Sequence, residues 1–85
     1  MATYKILYWQ EIPSQIKVED AEGEVNVALD AKFMERIDQV AAERGKSSAD
    51  DYLAEWRWSD EEERDGTAQE VADALKAELE AKANW

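Results

Sequence analysis

The sequence predicts an α+β fold: a three- to four-stranded antiparallel or mixed sheet with three helices packed on one face. Three observations predict it. Residues 3–10 are rich in aromatic and β-branched residues and residues 15–29 alternate apolar and polar positions, with turn residues at Pro13 and Gly23. From Asp30 onward the apolar residues recur at helical spacing. Strands therefore come first and helices later, an order that favours an antiparallel or mixed sheet over a doubly wound one. Eighty-five residues are too few for two independent cores, so residues 1–85 are expected to form one domain.

Thr3 to Gln10 is rich in aromatic and β-branched residues and reads as the first strand. Tyr4, Ile6 and Tyr8 share one face; Lys5, Leu7 and Trp9 share the other. Both faces are largely apolar, which suits a central strand. Pro13 cannot donate to a ladder, so the strand should end or bulge near it. Ile16 and Val18 alternate next, Asp20-Ala21-Glu22-Gly23 reads as a turn, and Val25, Val27 and Leu29 alternate again, so the pair reads as a hairpin.

Asp30 is placed to cap a helix whose stripe is Phe33, Ile37, Val40 and Ala41, with Gly45 at its end and Arg44 and Lys46 near its negative pole. Ser47 or Ser48 caps a shorter helix to about Trp56, with an apolar face of Tyr52, Leu53 and Trp56. The alternation Glu55–Arg57 and Trp56–Trp58 allows a short strand from Trp56 to Ser59. Thr67-Ala68-Gln69-Glu70 is a capping box, and Val71, Leu75 and Leu79 form the stripe of a last helix to about Lys82.

Charge and composition exclude several function classes. Twenty-one acids against ten bases give a net charge of −11. Phosphate binding needs a positive field, so no nucleic-acid partner is expected. With no Cys and no His, thiol nucleophiles, Cys- or His-ligated metals and His-based triads are excluded. Neither a basic start leading into an apolar run nor an apolar stretch of about 18 residues is present, so the expectation is a cytoplasmic protein without a membrane partner. The acidity is uneven: residues 1–49 hold nine acids and six bases, whereas residues 50–85 hold twelve acids and four bases.

The segment Leu7-Tyr8-Trp9-Gln10-Glu11-Ile12-Pro13-Ser14-Gln15-Ile16 is the most distinctive part of the chain. Together with Tyr52-Leu53-Ala54-Glu55-Trp56-Arg57-Trp58 and Glu63-Arg64-Asp65-Gly66-Thr67, it resembles a small bacterial domain family called "virulence factor". In the staphylococcal protein behind that name, a similar domain lies near the C-terminus of a larger HEAT-repeat protein. The resemblance covers nearly the whole chain and carries over no catalytic residues. It implies a short cytoplasmic protein and an association with folate- and corrinoid-linked methyl transfer. It does not imply a toxin.

Three clusters are candidate partner-binding sites, each with an ordinary structural reading beside it. Trp9, Gln10, Pro13, Ser14 and Gln15 place an aromatic ring, two amides and a hydroxyl at a strand end; alternatively Trp9 packs in the core while Pro13 and Ser14 shape a turn. Trp56 and Trp58 share a face if extended and diverge by about 200° in a helix. With Arg57 between them they have the composition of an interface hot spot, or they cover the core. Glu61, Glu62 and Glu63 lie in the acidic run Asp60–Asp65, which reads as a solvated loop before a helix N-terminus or as a docking element for a basic partner. Ser14 has no base beside it in the sequence, and Tyr4 and Tyr8, on a strand, read as structural rather than catalytic.

The leading functional expectation is a non-enzymatic accessory domain that binds a protein partner through an aromatic patch and an acidic segment, with no catalytic residues, cofactor or metal. The alternative implied by the resemblance is an accessory module for folate- or corrinoid-linked methyl transfer. A ribbon–helix–helix DNA-binding dimer would present Glu24, Asn26 and Ala28 to the groove, a face without the usual positive charge.

Overall fold

The computed structural model describes residues 1–46 and 48–83. Its elements in chain order are β1 (Ala2–Trp9), β2 (Ile12–Asp20), β3 (Gly23–Ala28), α1 (Ala31–Glu43), α2 (Ala49–Ala54), β4 (Trp56–Trp58), β5 (Glu62–Arg64) and α3 (Ala68–Lys82). The α+β expectation holds, and the sheet is antiparallel at every pairing. The order is β3-β2-β1-β4, with β5 also on β1, so β1 is a central strand as its two apolar faces required.

The sheet has five strands rather than three or four, because the fourth is interrupted. Trp58 faces Leu7 and Glu62 faces Tyr4, so the edge spends four steps where β1 spends three. The extra residue falls at Asp60–Glu61. Ser59 bridges the gap: its N–H donates to the Ile6 carbonyl at 2.8 Å and its Oγ accepts the Ile6 N–H at 2.8 Å. The acidic run is thus a bulge followed by a strand, not a loop throughout; pairing to Ala2–Tyr4 overrides the weak strand propensity of Glu62 and Glu63.

A second bulge accommodates Pro13. Leu7 pairs with Gln15 and Tyr8 with Pro13, leaving Ser14 as the extra residue. The ring nitrogen therefore sits where the ladder is already broken. Ser14 is buried; its carbonyl accepts the Leu29 N–H at 3.0 Å and its hydroxyl donates to Met34 Sδ at 3.3 Å.

Cross-strand pairing sorts the sheet into two faces, since directly opposed residues point the same way. Ala2, Ile6, Ile16 and Val18 lie on one face and are all buried, under the Ala68, Val71, Ala72 and Leu75 stripe of α3. Each fully buried Val or Ile contributes about 1.5–3 kcal/mol. The α1 stripe of Phe33, Ile37, Val40 and Ala41 is buried as its spacing required.

The helices do not all pack on one face. Trp9 and Trp56 oppose each other on the side away from Ile16, and Tyr52 of α2 packs there, with ring centroids 5.7 Å from Trp9 and 5.9 Å from Trp56. The reason is the parity of β1: Trp9 is an odd position, and α2 follows the aromatic ring it must cover. Leu53, expected on the apolar face of α2, is 65% exposed, and the helix ends at Ala54 before Trp56. The shortest dimension of the molecule is 16 Å. Layers pack about 10 Å apart, so there is no room for helices over both faces along the whole sheet.

Caps match the sequence. The Asp30 side chain accepts the Lys32 N–H, that of Ser48 accepts the Asp51 N–H, and Thr67 and Glu70 form the reciprocal box. Ser47, the other candidate cap, lies outside the described residues. Gly45 takes φ +71° after α1, the left-handed conformation that favours glycine there. Among the described residues no helix is long and apolar enough to cross a membrane.

Asp20 ties the hairpin to α3. One carboxylate oxygen accepts the Ala68 N–H at 2.8 Å, and the other accepts those of Glu22 and Gly23 at 2.8 and 3.0 Å. These bonds, the one from Ala68 foremost, hold the carboxyl below its ordinary pKa. A depressed folded pKa stabilises the protein above the unfolded value, about 3.9, and that stability disappears as pH falls through the folded value. The expected result is a melting temperature that drops below about pH 4, with a shallower drop in Asp20→Asn. Glu11, Glu24 and Glu78 are also depressed, so the drop is reduced rather than abolished. Identical acid limbs in both proteins would remove Asp20 from this role.

Candidate functional site: the open face of the sheet

Away from Trp9 and α2, the second face of the sheet is left open by the described residues, and register arranges it in rows. Trp58, Leu7, Gln15 and Ala28 oppose one another in sequence across four strands. Two residues along, Lys5, Lys17 and Asn26 form the next row, with Glu61 beside Lys5. The third row is Glu63, Thr3, Glu19 and Glu24. Trp58 is 48% exposed, Leu7 is half-buried, and Gln15 and Ala28 are exposed. The face thus runs from an apolar and amide row through a basic row to an acidic one.

The middle row opposes two like charges, Lys5 and Lys17, a placement that destabilises unless acids intervene. Lys17 Nζ lies 3.6 Å from Glu24 and 3.9 Å from Glu19, and Lys5 Nζ lies 4.0 Å from Glu61. Asn26 donates to Glu24 at 2.9 Å, which chiefly holds the Glu24 carboxyl below its usual range, with Lys17 adding to the effect. The carboxylates of this acidic rim are exposed and steer association more than they add affinity.

The sequence candidates divide by strand parity. Gln15 and Trp58, from different segments, meet in one row on either side of Leu7. Glu61 and Glu63 join the same face. Glu62 turns to the other face and accepts the Tyr4 hydroxyl at 2.6 Å, which raises the Tyr4 pKa. Arg57 also lies on that other face, 5.9 Å above the Tyr8 ring and donating to the Gln10 carbonyl at 3.3 Å.

The corner candidates are mostly structural. Trp9 is fully buried, and its Nε1–H donates to the Tyr52 carbonyl at 2.9 Å. Pro13 and Ser14 are buried at the bulge. Gln10 takes φ +53° in the two-residue turn, and its side-chain oxygen accepts from Arg44, which also pairs with Glu11 at 2.8 Å. Trp56 is half-buried against Tyr52 in an edge-on contact.

Sequence reasoning placed Leu7 beside Lys5 and Trp9 but did not single it out. The available signal was that face itself: three β1 positions of which α2 covers only Trp9.

No curated protein and no solved structure matches the chain. The family model described as "Virulence factor" matches residues 7–84, taking in both Trp-bearing segments, the bulged hairpin and α3. The chain belongs to the Virulence factor family.

Proposed function

We propose that this chain is a non-enzymatic accessory domain that docks a basic protein partner on the open sheet face in the bacterial cytoplasm. Trp58 and Leu7 form the apolar anchor, Gln15 offers an amide beside it, and Glu19, Glu24, Glu61 and Glu63 form an acidic rim. The observation that carries this reading is the uncovered row Trp58–Leu7–Gln15, assembled from three strands. A large aromatic flanked by an adaptable amide has the composition of an interface centre, and the surrounding carboxylates select for a positively charged surface.

The test is affinity capture from the organism of origin at low and high salt, identified by mass spectrometry, with Trp58→Ala and Gln15→Ala beside the parent chain. The captured partner is then purified and its affinity measured. The expected partner has a basic surface; it is lost with Trp58→Ala and held less well at high salt, because screening weakens the rim. Capture insensitive to both substitutions would falsify the reading.

A further inference from the structure

The two edges of the sheet are protected very differently. The β4–β5 edge is broken into two three-residue strands by a bulge and carries Asp60, Glu61, Glu62 and Glu63. Short length, a bulge and charge are the devices that stop an edge from pairing with another chain. The β3 edge has no bulge or break, and Glu24 is its one charged residue. It runs six residues in unbroken register with β2 and contains no Pro and no Lys.

The direction of the β3 backbone follows from the ladder. The Leu29 N–H turns inward to the Ser14 carbonyl. Antiparallel hydrogen bonding alternates along a strand, so Val25 and Val27 bond inward and Glu24, Asn26 and Ala28 direct their N–H and C=O groups outward. Three donors and three acceptors are thus aligned on an edge that no other described strand pairs.

We propose that two copies of this chain pair there, β3 against β3, about a dyad at Asn26. In that register Asn26 meets Asn26 of the second copy, and Glu24 meets Ala28 in both directions. No carboxylate on the new pair opposes another, and Glu24 is already held by Lys17 and Asn26. On the α3 side Val25 meets Val27, and both are half-buried in the single chain, with apolar surface left to lose. The edge is self-complementary in hydrogen bonds, charge and apolar positions, as an isologous two-fold interface requires. The result is one continuous sheet with its two open faces side by side. This inference does not depend on the partner proposed above.

Each copy carries −11, so the long-range field opposes pairing. The screening length falls from about 30 Å at 0.01 M salt to about 8 Å at 0.15 M, so the dimer should strengthen as salt rises. A basic partner shows the opposite salt dependence, which separates the two proposals.

Sedimentation equilibrium on the whole chain at low and high salt tests the idea, with Asn26→Pro and Asn26→Asp alongside. Proline removes an outward N–H without touching the β2 ladder, and aspartate puts two like charges on the dyad. The expected result is a doubling of sedimenting mass that grows with salt and is lost in both variants, with unchanged circular dichroism. Hydrogen exchange on the parent chain gives a readout free of any folding defect: the Glu24, Asn26 and Ala28 amides should slow as concentration rises. A monomer at every concentration and salt overturns the proposal. So does a dimer that survives both variants, or one in which those three amides exchange at the monomer rate.

Discussion

Trp9→Ala is expected to cost about 3–5 kcal/mol and to leave little folded protein at 37 °C. Trp9 is fully buried on the central strand. Its ring holds Tyr52, whose other side holds Trp56, so one truncation removes the contact by which α2 docks. It also removes the indole N–H from the Tyr52 carbonyl, which is left with the Glu55 N–H alone. A domain of this size has a total stability of roughly 4–13 kcal/mol, so the loss takes a large share of it. Trp9→Phe keeps an aromatic ring and loses the hydrogen bond, with an expected cost of about 1–2 kcal/mol. Urea unfolding followed by circular dichroism measures both. An alanine variant within about 0.5 kcal/mol of the parent chain would show that this ring does not anchor α2.

Trp58→Ala is expected to leave stability within about 0.5 kcal/mol and to weaken partner binding about thirty-fold, or ~2 kcal/mol. The two tryptophans differ because of what covers them. Trp58 opposes Leu7 on an edge strand, and 48% of it faces solvent. Removing it leaves no cavity in the folded chain, but it removes the largest apolar group a partner could bury on this face. The urea midpoint and a direct binding measurement on the captured partner check the two halves separately. A destabilised variant would place Trp58 in the structure rather than the interface. A stable variant with unchanged affinity would move the anchor elsewhere.

Strand parity explains why the site was only partly legible beforehand. The acidic run was one unit in the sequence, but its members separate: Glu61 and Glu63 lie on the open face, and Glu62 bonds Tyr4 on the other. Arg57 separates from Trp56 and Trp58 in the same way. Composition finds such residues near one another in the chain; only strand geometry says which of them act together.

Local spacing and capping residues set most elements and the starts of the helices. Asp30, Ser48 and the Thr67–Glu70 box cap their helices, the apolar stripes of α1 and α3 become their buried faces, and Pro13 marks a bulge. Each depends on residues within about one turn of helix or one strand step, where spacing alone sets the geometry. The assembled sheet makes Glu62–Arg64 a strand, carries α2 to the face opposite α3 and sets Trp58 and Gln15 on either side of Leu7. Those outcomes rest on pairing between distant segments. A register shift of one residue there sends every side chain to the opposite face, and no local propensity selects between the two.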